Sequence, residues 1–408
     1  MSKYVIIGNS AAAIGTIEGI RSVDTEGTII LISDEKHHTY SRPLISYYLL
    51  GKVEEKKMLY RDKDFYKKNG VETKLGVRAA KIGKNSVTLE NGEEIPFEKL
   101  MVATGSKPFV PPMEGYDTVK NSFTFMTLDS VKEIKKKLHK TSRVLIIGAG
   151  LIGLKAAEAV EGTVAKLTVI DLADRILPSI LDADAGKLMQ KHIEEKGTKI
   201  ILGTSVKKFE GNTAELTNGE KIDFDILITA VGVRPNTELV KEAGGDVNRG
   251  IKTDDTQLTS LANVYAAGDC TESYDVTTGT EKILALLPNA YMQGEVAGKN
   301  MAGTEAHYTN AIPMNAIGFY GLHIITAGSY EGTAYCTQNG ENYKKLFFRD
   351  NKLVGFILMG SEIKRAGIYT TMIKQQTDLA GVDMELLKEK PQLLMFGKDV
   401  RRQKLANV

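Results

Sequence analysis

The sequence predicts an α/β fold: two three-layer units, each a parallel sheet between helices, followed by a small C-terminal α+β domain. Three observations carry this. A strand–turn–helix–strand segment that ends in an acid occurs at residues 3–35 and again at 143–171. Each copy is trailed by a hairpin with an Asn-Gly turn and then a buried strand ending in glycine. From about Gly328 the composition shifts to a compact β-rich run. A chain of 408 residues is also too long for one ordinary domain and points to two or three.

In the first unit, Lys3 to Gly8 is a short apolar strand that runs into Gly8-Asn-Ser10-Ala11-Ala12-Ala13-Ile-Gly15. A helical pattern follows to about Arg21, then a strand from Thr28 that closes on Asp34 and Glu35. Small turn residues let the backbone approach a pyrophosphate, and the helix N-terminus offers amide donors and the positive end of its dipole. The terminal acid accepts hydrogen bonds from a ribose diol. Ser10 and Ala13 stand where glycine is usual, so this turn alone fits a nucleotide site and an ordinary tight turn equally well.

The second unit has the full pattern. Arg143 to Ile147 leads into Gly148-Ala-Gly150-Leu151-Ile152-Gly153, a complete G-x-G-x-x-G, followed by the helical run Leu154 to Val160. Lys166 to Asp171 then ends a strand in an acid. A carboxylate there favours a free 2′-hydroxyl and repels a 2′-phosphate, so NADH is expected over NADPH; Arg175, four residues on, weakens that preference slightly. The trailing segments match as well: Val87 to Gly92 followed by Lys99 to Gly105, and Ala214 to Gly219 followed by Asp225 to Gly232. A chance glycine turn would not repeat over whole units.

Composition excludes several classes. Hydrophobic content of 42% and charged content of 25% are those of a globular protein, not a disordered one. The balance of 53 basic and 51 acidic residues, a net +2, is no footprint for nucleic acid. Two cysteines, Cys270 and Cys336, are too few for a disulfide framework or an iron–sulfur site. The chain opens Met-Ser-Lys and goes straight into a strand with no signal pattern, and its longest apolar stretch, Val144 to Leu154, stops at Lys155. A cytoplasmic protein with no membrane contact is expected. His37 and His38 have no further ligands nearby in sequence and read as a solvated loop pair, so no metal is expected.

Taken with Asn263-Val-Tyr-Ala-Ala-Gly268-Asp269, these segments resemble the pyridine nucleotide–disulfide oxidoreductase superfamily of FAD/NAD flavoenzymes over nearly the whole chain. The resemblance implies two Rossmann-like domains, with the NAD domain inserted in the FAD domain. It places Gly8, Ser10, Ala11, Ala12, Asp34, Glu35 and Ala79 at FAD, together with Ala103, Thr104, Gly105, Gly268 and Asp269, whose carboxylate would meet the ribityl chain. It places Gly148, Gly150, Leu151, Ile152, Gly153, Asp171 and Gly232 at NAD. Leu287-Pro288-Asn289-Ala290 opens a helix to about Met301; in the family this helix aims its N-terminus at the pyrimidine edge of the flavin, where Pro288, Asn289 and Ala290 would sit.

The segment Tyr40-Ser-Arg42-Pro43-Leu-Ile-Ser46-Tyr47 resembles that of rubredoxin reductases, ferredoxin reductases and the flavin region of nitrite reductases. It implies that Arg42, with Pro43 beside it, pairs with FAD phosphate or ribityl oxygens. Disulfide reductases, NADH oxidases and NADH peroxidases carry a redox cysteine about here, and this chain has none nearby, which excludes dithiol exchange and a sulfenate cycle. Cys270 reads as a small buried filler. No catalytic side chain is obligatory, because the cofactor carries the chemistry. Two positions depart from the family pattern: Tyr47 where relatives often have a lysine near the flavin, and Lys155 where they have a glutamate near the nicotinamide amide. A cation at 155 would remove an acceptor for the carboxamide and repel the oxidised ring.

The C-terminal run holds a hairpin, Asn342 to Phe348 and Leu353 to Leu358, then a helix from about Ala366 to Gln376. Met384 to Phe396, interrupted by Pro391, is at most broken helix. Lys344, Lys345, Lys364, Arg365, Arg401 and Arg402 read either as a docking face for an acidic carrier or as plain solvated surface. The expected domains are 1–112 with 246–325 for FAD, 113–245 for NAD, and 326–408 as a cap or interface domain. The expected activity is NADH-dependent reduction of rubredoxin or another iron–sulfur carrier through FAD. The alternatives are a cysteine-free NADH oxidase and a flavoprotein subunit of a larger redox complex, and a homodimer is compatible with each.

Overall fold

The computed structural model describes residues 2–406. Its first sheet is a parallel stack in the order Val71–Leu75, Ile29–Ser33, Ser2–Ile7, Glu94–Val102, Val264–Ala266. Tyr4, Val5 and Ile6 are fully buried, as a strand covered on both faces requires. The long strand Glu94–Val102 pairs antiparallel over its first residues with Ser86–Leu89, which pairs in turn with Ala79–Ile82. The chain therefore leaves this sheet after Val102 and returns to it at Val264.

Between those points lies a second parallel sheet, in the order Lys199–Ile201, Lys166–Ile170, Arg143–Ile147, Ile226–Thr229, Ser122–Thr124. A three-stranded antiparallel layer, Val206–Glu210, Thr213–Leu216 and Lys221–Asp223, covers one side. The outgoing and returning segments, Ser106–Pro108 and Val233–Pro235, pair antiparallel with each other. Both expected Asn-Gly turns form, with Gly92 at φ +85° and Gly219 at φ +86°, values that suit glycine.

The helix Ala11–Arg21 crosses Leu287–Met301 through two matched pairs of glycines. A Cβ on Gly15 would lie 2.2 Å from the Tyr291 carbonyl oxygen, and one on Gly19 2.3 Å from that of Glu295. In return, a Cβ on Gly294 would lie 2.0 Å from the Ala12 oxygen, and one on Gly298 2.3 Å from that of Thr16. Backbone touches backbone at four points, which brings the start of the second helix onto the first glycine turn.

The last sheet is five-stranded and antiparallel: Met314–Phe319, Leu322–Gly328, Lys352–Met359, Asn342–Arg349, Thr333–Asn339. It opens at Met314, ahead of the boundary expected at 326. One face buries Leu346, Phe356 and Leu358 under the helix Ala366–Lys374 and the pieces Met384–Glu389 and Leu393–Met395. Met395 and Phe396 join that core, whereas Leu394 is exposed. The other face, with Phe319, Ile324, Tyr343 and Phe347, shares a core with Val144, Leu154 and Ile228 of the second unit.

Polar contacts tie the same two layers. Asp182 takes Lys345 Nζ at 2.6 Å and Tyr343 Oη at 3.0 Å, and Tyr330 Oη donates to the Ile180 carbonyl at 2.7 Å. Lys344 is buried against Glu362 at 2.7 Å. Lys344 is thus internal and Lys345 is half-buried in its ion pair, which removes both from the expected cationic docking face; Lys364 remains exposed. Among the described residues, no helix is long and apolar enough to cross a membrane.

Candidate functional site

A cavity of about 600 Å³ lies over the C-terminal edge of the first sheet. Its wall includes Gly8, Ser10, Ala11, Ala12, Asp34, Glu35, Arg42, Ala79, Ala103, Thr104, Gly105, Gly268, Asp269 and Ala290, so most of the expected FAD set converges. The turn is shaped by Gly8: at φ +121°, a Cβ there would sit 2.1 Å from the Ala103 oxygen. Gly268, at φ +89°, lets its strand end pack on Ala12 and Ala290.

Three expected contacts fall outside the wall. Pro43 is exposed and starts the helix Leu44–Leu49, and Pro288 is exposed in the first turn of Leu287–Met301. Asn289 is buried with its amide turned away: its oxygen accepts from Tyr308 Oη at 2.8 Å and its nitrogen faces the Ile312 carbonyl at 3.4 Å. Of Pro288, Asn289 and Ala290, only Ala290 reaches the cavity.

The polar groups of the wall are arranged around two acids. Glu35 pairs with Arg42 and accepts from Tyr40 Oη at 2.6 Å. Tyr40 Oη accepts in turn from Arg42 at 3.2 Å and from the Leu128 amide at 3.0 Å. Two residues expected at the cofactor therefore hold each other, at the seam with the helix Leu128–Lys137. Asp269 accepts one hydrogen bond, from Ser106 Oγ at 3.2 Å. Burial pushes its carboxyl up, opposed by Ser106 and the Arg42 charge. A recessed carboxylate with one protein donor has acceptor sites left for the hydroxyls of a polyol, which is the test FAD poses and which this site meets.

Sequence reasoning missed Asn9, Ser106 and Asn236, which line the same cavity. Ser106 follows directly on the Ala103-Thr104-Gly105 turn, and that adjacency is a usable signal. Asn236 exchanges hydrogen bonds with the Thr104 backbone and hydroxyl at 2.9 and 2.8 Å, a placement that depends on the pairing of the two crossing segments and leaves no local trace.

The second glycine turn is built tighter. Gly148, at φ +111°, would bring a Cβ within 2.3 Å of the Ala230 oxygen, and Gly153 within 1.9 Å of the Gly148 oxygen. Gly150 has open space around it and caps the helix Leu151–Val160, whose first turn holds Leu151 and Ile152. Asp171 accepts from the Ala149 amide at 2.6 Å and the Ala173 amide at 2.8 Å, which fixes the carboxylate beside the turn. Gly232, at φ +127°, is likewise open. Arg175 is engaged by Asp174 at 2.8 Å and the Leu181 carbonyl at 3.3 Å, so its charge is spent locally.

Lys155 is not a free cation either. Its Nζ contacts Glu158 at 2.6 Å and the Gly318 carbonyl at 2.5 Å, and lies 5.5 Å from the Tyr47 ring centre. Glu158 also accepts from the Tyr320 amide at 2.7 Å. The expected repulsion of an oxidised nicotinamide is thereby countered by a carboxylate one helical turn away. Cys270 is buried, donates to the Ala267 carbonyl at 3.3 Å, and has its thiol pushed up to about 11 by burial; it is a filler. His37 pairs with Asp129 at 2.8 Å, and His38 faces the Thr39 carbonyl at 3.1 Å.

Comparison with known proteins fits this geometry. Residues 2–294 match the family model for pyridine nucleotide-disulphide oxidoreductases, and residues 313–377 match that of the rubredoxin NAD+ reductase C-terminal domain. The chain belongs to the pyridine nucleotide-disulphide oxidoreductase family. It is an FAD-dependent oxidoreductase that uses NADH. It is 32% identical to the epsilon subunit of the NADH-dependent phenylglyoxylate dehydrogenase of Aromatoleum evansii, over 93% of each chain. It is 29% identical to the NADH-rubredoxin oxidoreductase of Clostridium acetobutylicum, over 90% of this chain and 94% of that one. Among solved structures, a chain of the covalent putidaredoxin reductase–putidaredoxin complex superposes with a TM-score of 0.87 at 23% identity, covering 95% and 96% of the two chains, a likeness of fold.

Proposed function

We propose that this protein oxidises NADH and passes the electrons to a rubredoxin or another iron–sulfur carrier protein. The observation that carries the reading is the absence of a thiol relay at the site. Pro43 heads the helix beside the cavity, and the nearby Cys270 is buried with its thiol near 11, so electrons have no protein disulfide to enter. FAD, when bound, supplies hydride acceptance from NADH and release of electrons one at a time. The chain's own residues hold and orient. The Gly8–Ala12 turn and its helix N-terminus take the pyrophosphate, Glu35 and Asp34 the ribose, and Asp269 the ribityl hydroxyls. Gly148 to Gly153 and Asp171 take the NAD pyrophosphate and adenosine ribose in the same manner.

In this reading residues 1–112 and 246–313 form the FAD domain, 113–245 the NAD domain, and the C-terminal domain runs from Met314, in the cytoplasm. The similarity to the Clostridium acetobutylicum enzyme and to the rubredoxin-reductase C-terminal domain supports a carrier as acceptor. A second reading, a flavoprotein subunit of a larger dehydrogenase, is favoured by the 32% identity to the epsilon subunit. Steady-state NADH oxidation separates the possibilities. The proposal predicts that added rubredoxin or ferredoxin accelerates turnover well above the rate with oxygen alone. Oxygen turnover that no carrier increases would overturn it in favour of an oxidase. Turnover that appears only with a co-purifying dehydrogenase would favour the subunit.

A further inference from the structure

We propose that Glu158, held in place by the C-terminal sheet, sets how strongly the protein distinguishes NAD+ from NADH. The inference rests on the reading that NADH is oxidised here, and it needs no particular electron acceptor. A hydride can pass only where the FAD cavity and the second glycine turn face each other. The helix Leu44–Leu49 leaves the cavity wall just after Arg42, and Leu151–Val160 leaves the turn at Gly150. These two helices pack together, and Lys155 Nζ lies 5.5 Å from the centre of the exposed Tyr47 ring. Lys155 therefore borders the place that a nicotinamide must reach.

The charge at that place is governed by the C-terminal sheet. Lys155 Nζ donates to Glu158 Oε2 at 2.6 Å and to the Gly318 carbonyl at 2.5 Å. The other oxygen of Glu158 accepts from the Tyr320 amide at 2.7 Å, so the carboxylate is fixed at both ends. Tyr320 is itself pinned to the second unit: its hydroxyl lies 3.2 Å from Thr198 Oγ1, and its carbonyl 3.3 Å from His192 Nε2. The lysine and its carboxylate are both recessed, with 16% and 21% of their side chains exposed, so salt screens them less than a surface pair. The oxidised nicotinamide ring carries a positive charge and the dihydronicotinamide ring carries none. A bare Lys155 would oppose the first and barely affect the second. Glu158 cancels that bias, so product and substrate meet a near-neutral pair. It is a positioning residue, acting through Lys155 and not on the ring.

Calorimetric titration of the flavin-loaded full chain tests this, with NAD+ and with tetrahydro-NAD, an NADH analogue whose neutral ring has no hydride to give. In Glu158→Gln the Kd for NAD+ should rise about fivefold or more, while that for tetrahydro-NAD moves less than about twofold. Adding Lys155→Met to the same chain should return the ratio of the two to its wild-type value. Lys155→Met alone leaves Glu158 uncompensated and should shift the ratio the other way, an arm that does not depend on the glutamine variant folding. An unchanged ratio in Glu158→Gln, or both affinities falling together as a loosened seam would give, contradicts the proposal. So does a changed ratio that the double variant fails to restore. A wild type that binds neither nucleotide would overturn the NADH reading itself, and the proposal with it. The identity of the electron acceptor alters none of these outcomes.

Discussion

In the first nucleotide unit the helix after the turn is drawn against a distant helix by Gly15, Gly19, Gly294 and Gly298, whereas in the second it is drawn against its own turn by Gly153. Ala13 occupies the position equivalent to Gly153 and is fully buried, so the first unit has room for a methyl where the second has none. The same strand–turn–helix pattern therefore uses its closest approaches differently. The first unit recruits a second helix, and with it the Gly268-Asp269 strand end, to close its cavity. The second keeps an open turn over Gly150 and Gly232, and leans its helix on the C-terminal sheet through Lys155 and Glu158. The first turn is enclosed by a second helix, and the second is left open at Gly150 and Gly232.

The two units should separate most sharply at Gly8 and Gly148, the positive-φ glycines that open their turns. Gly8→Ala meets the Ala103 carbonyl oxygen at 2.1 Å as well as a strained φ, and is expected to cost about 3 kcal/mol or more and to yield protein without flavin. Gly148→Ala has nearly the same clash, at 2.3 Å, but is expected to keep its flavin and lose NADH reduction. Flavin absorbance of the purified variants, with thermal melts, checks both.

The helix crossing comes next. Gly294→Ala would push the two helices apart by forcing a methyl to 2.0 Å from the Ala12 oxygen, and a loss of about 1–3 kcal/mol is expected with weakened flavin retention. Calorimetry and flavin release on dilution measure the two effects.

At the acids the units should separate cleanly. Asp269→Ala removes an acceptor aimed into the cavity and should weaken flavin binding, by about 1–3 kcal/mol, read by titrating apoprotein with FAD. Asp171→Ala should leave flavin content intact and raise the KM for NADH about tenfold, roughly 1.4 kcal/mol, with kcat little changed. The smallest effect is expected at Lys155→Met. Because the lysine is already neutralised by Glu158, the KM for NADH should move by less than about threefold, under ~0.7 kcal/mol.

The glycine turns, the acids after each second strand and the Gly268-Asp269 strand end were legible in sequence because each is a demand on backbone shape or a charge at a fixed offset. What was not legible depends on distant partners. Asn289 stands at the start of the helix that faces the cavity, but Tyr308 and Ile312 take its amide. Lys344 and Lys345 look like surface charge until the sheet sets them against Glu362 and Asp182. Met314–Phe319 falls within the expected 246–325 segment of the FAD domain, although it pairs along its whole length with Leu322–Gly328 in the C-terminal sheet. Asn236 enters the cavity only through the pairing of two short segments far apart in the chain.

Ser10 and Ala13 in one turn and Lys155 in the other are the departures despite which the two units must hold FAD and NADH in working order. The most direct test is to mix the anaerobic purified protein with NADH and follow the visible absorbance of the bound flavin. A flavin band that bleaches rapidly and in proportion to added NADH is expected. A protein that binds no flavin after reconstitution, or bound flavin that stays oxidised in excess NADH, would contradict it.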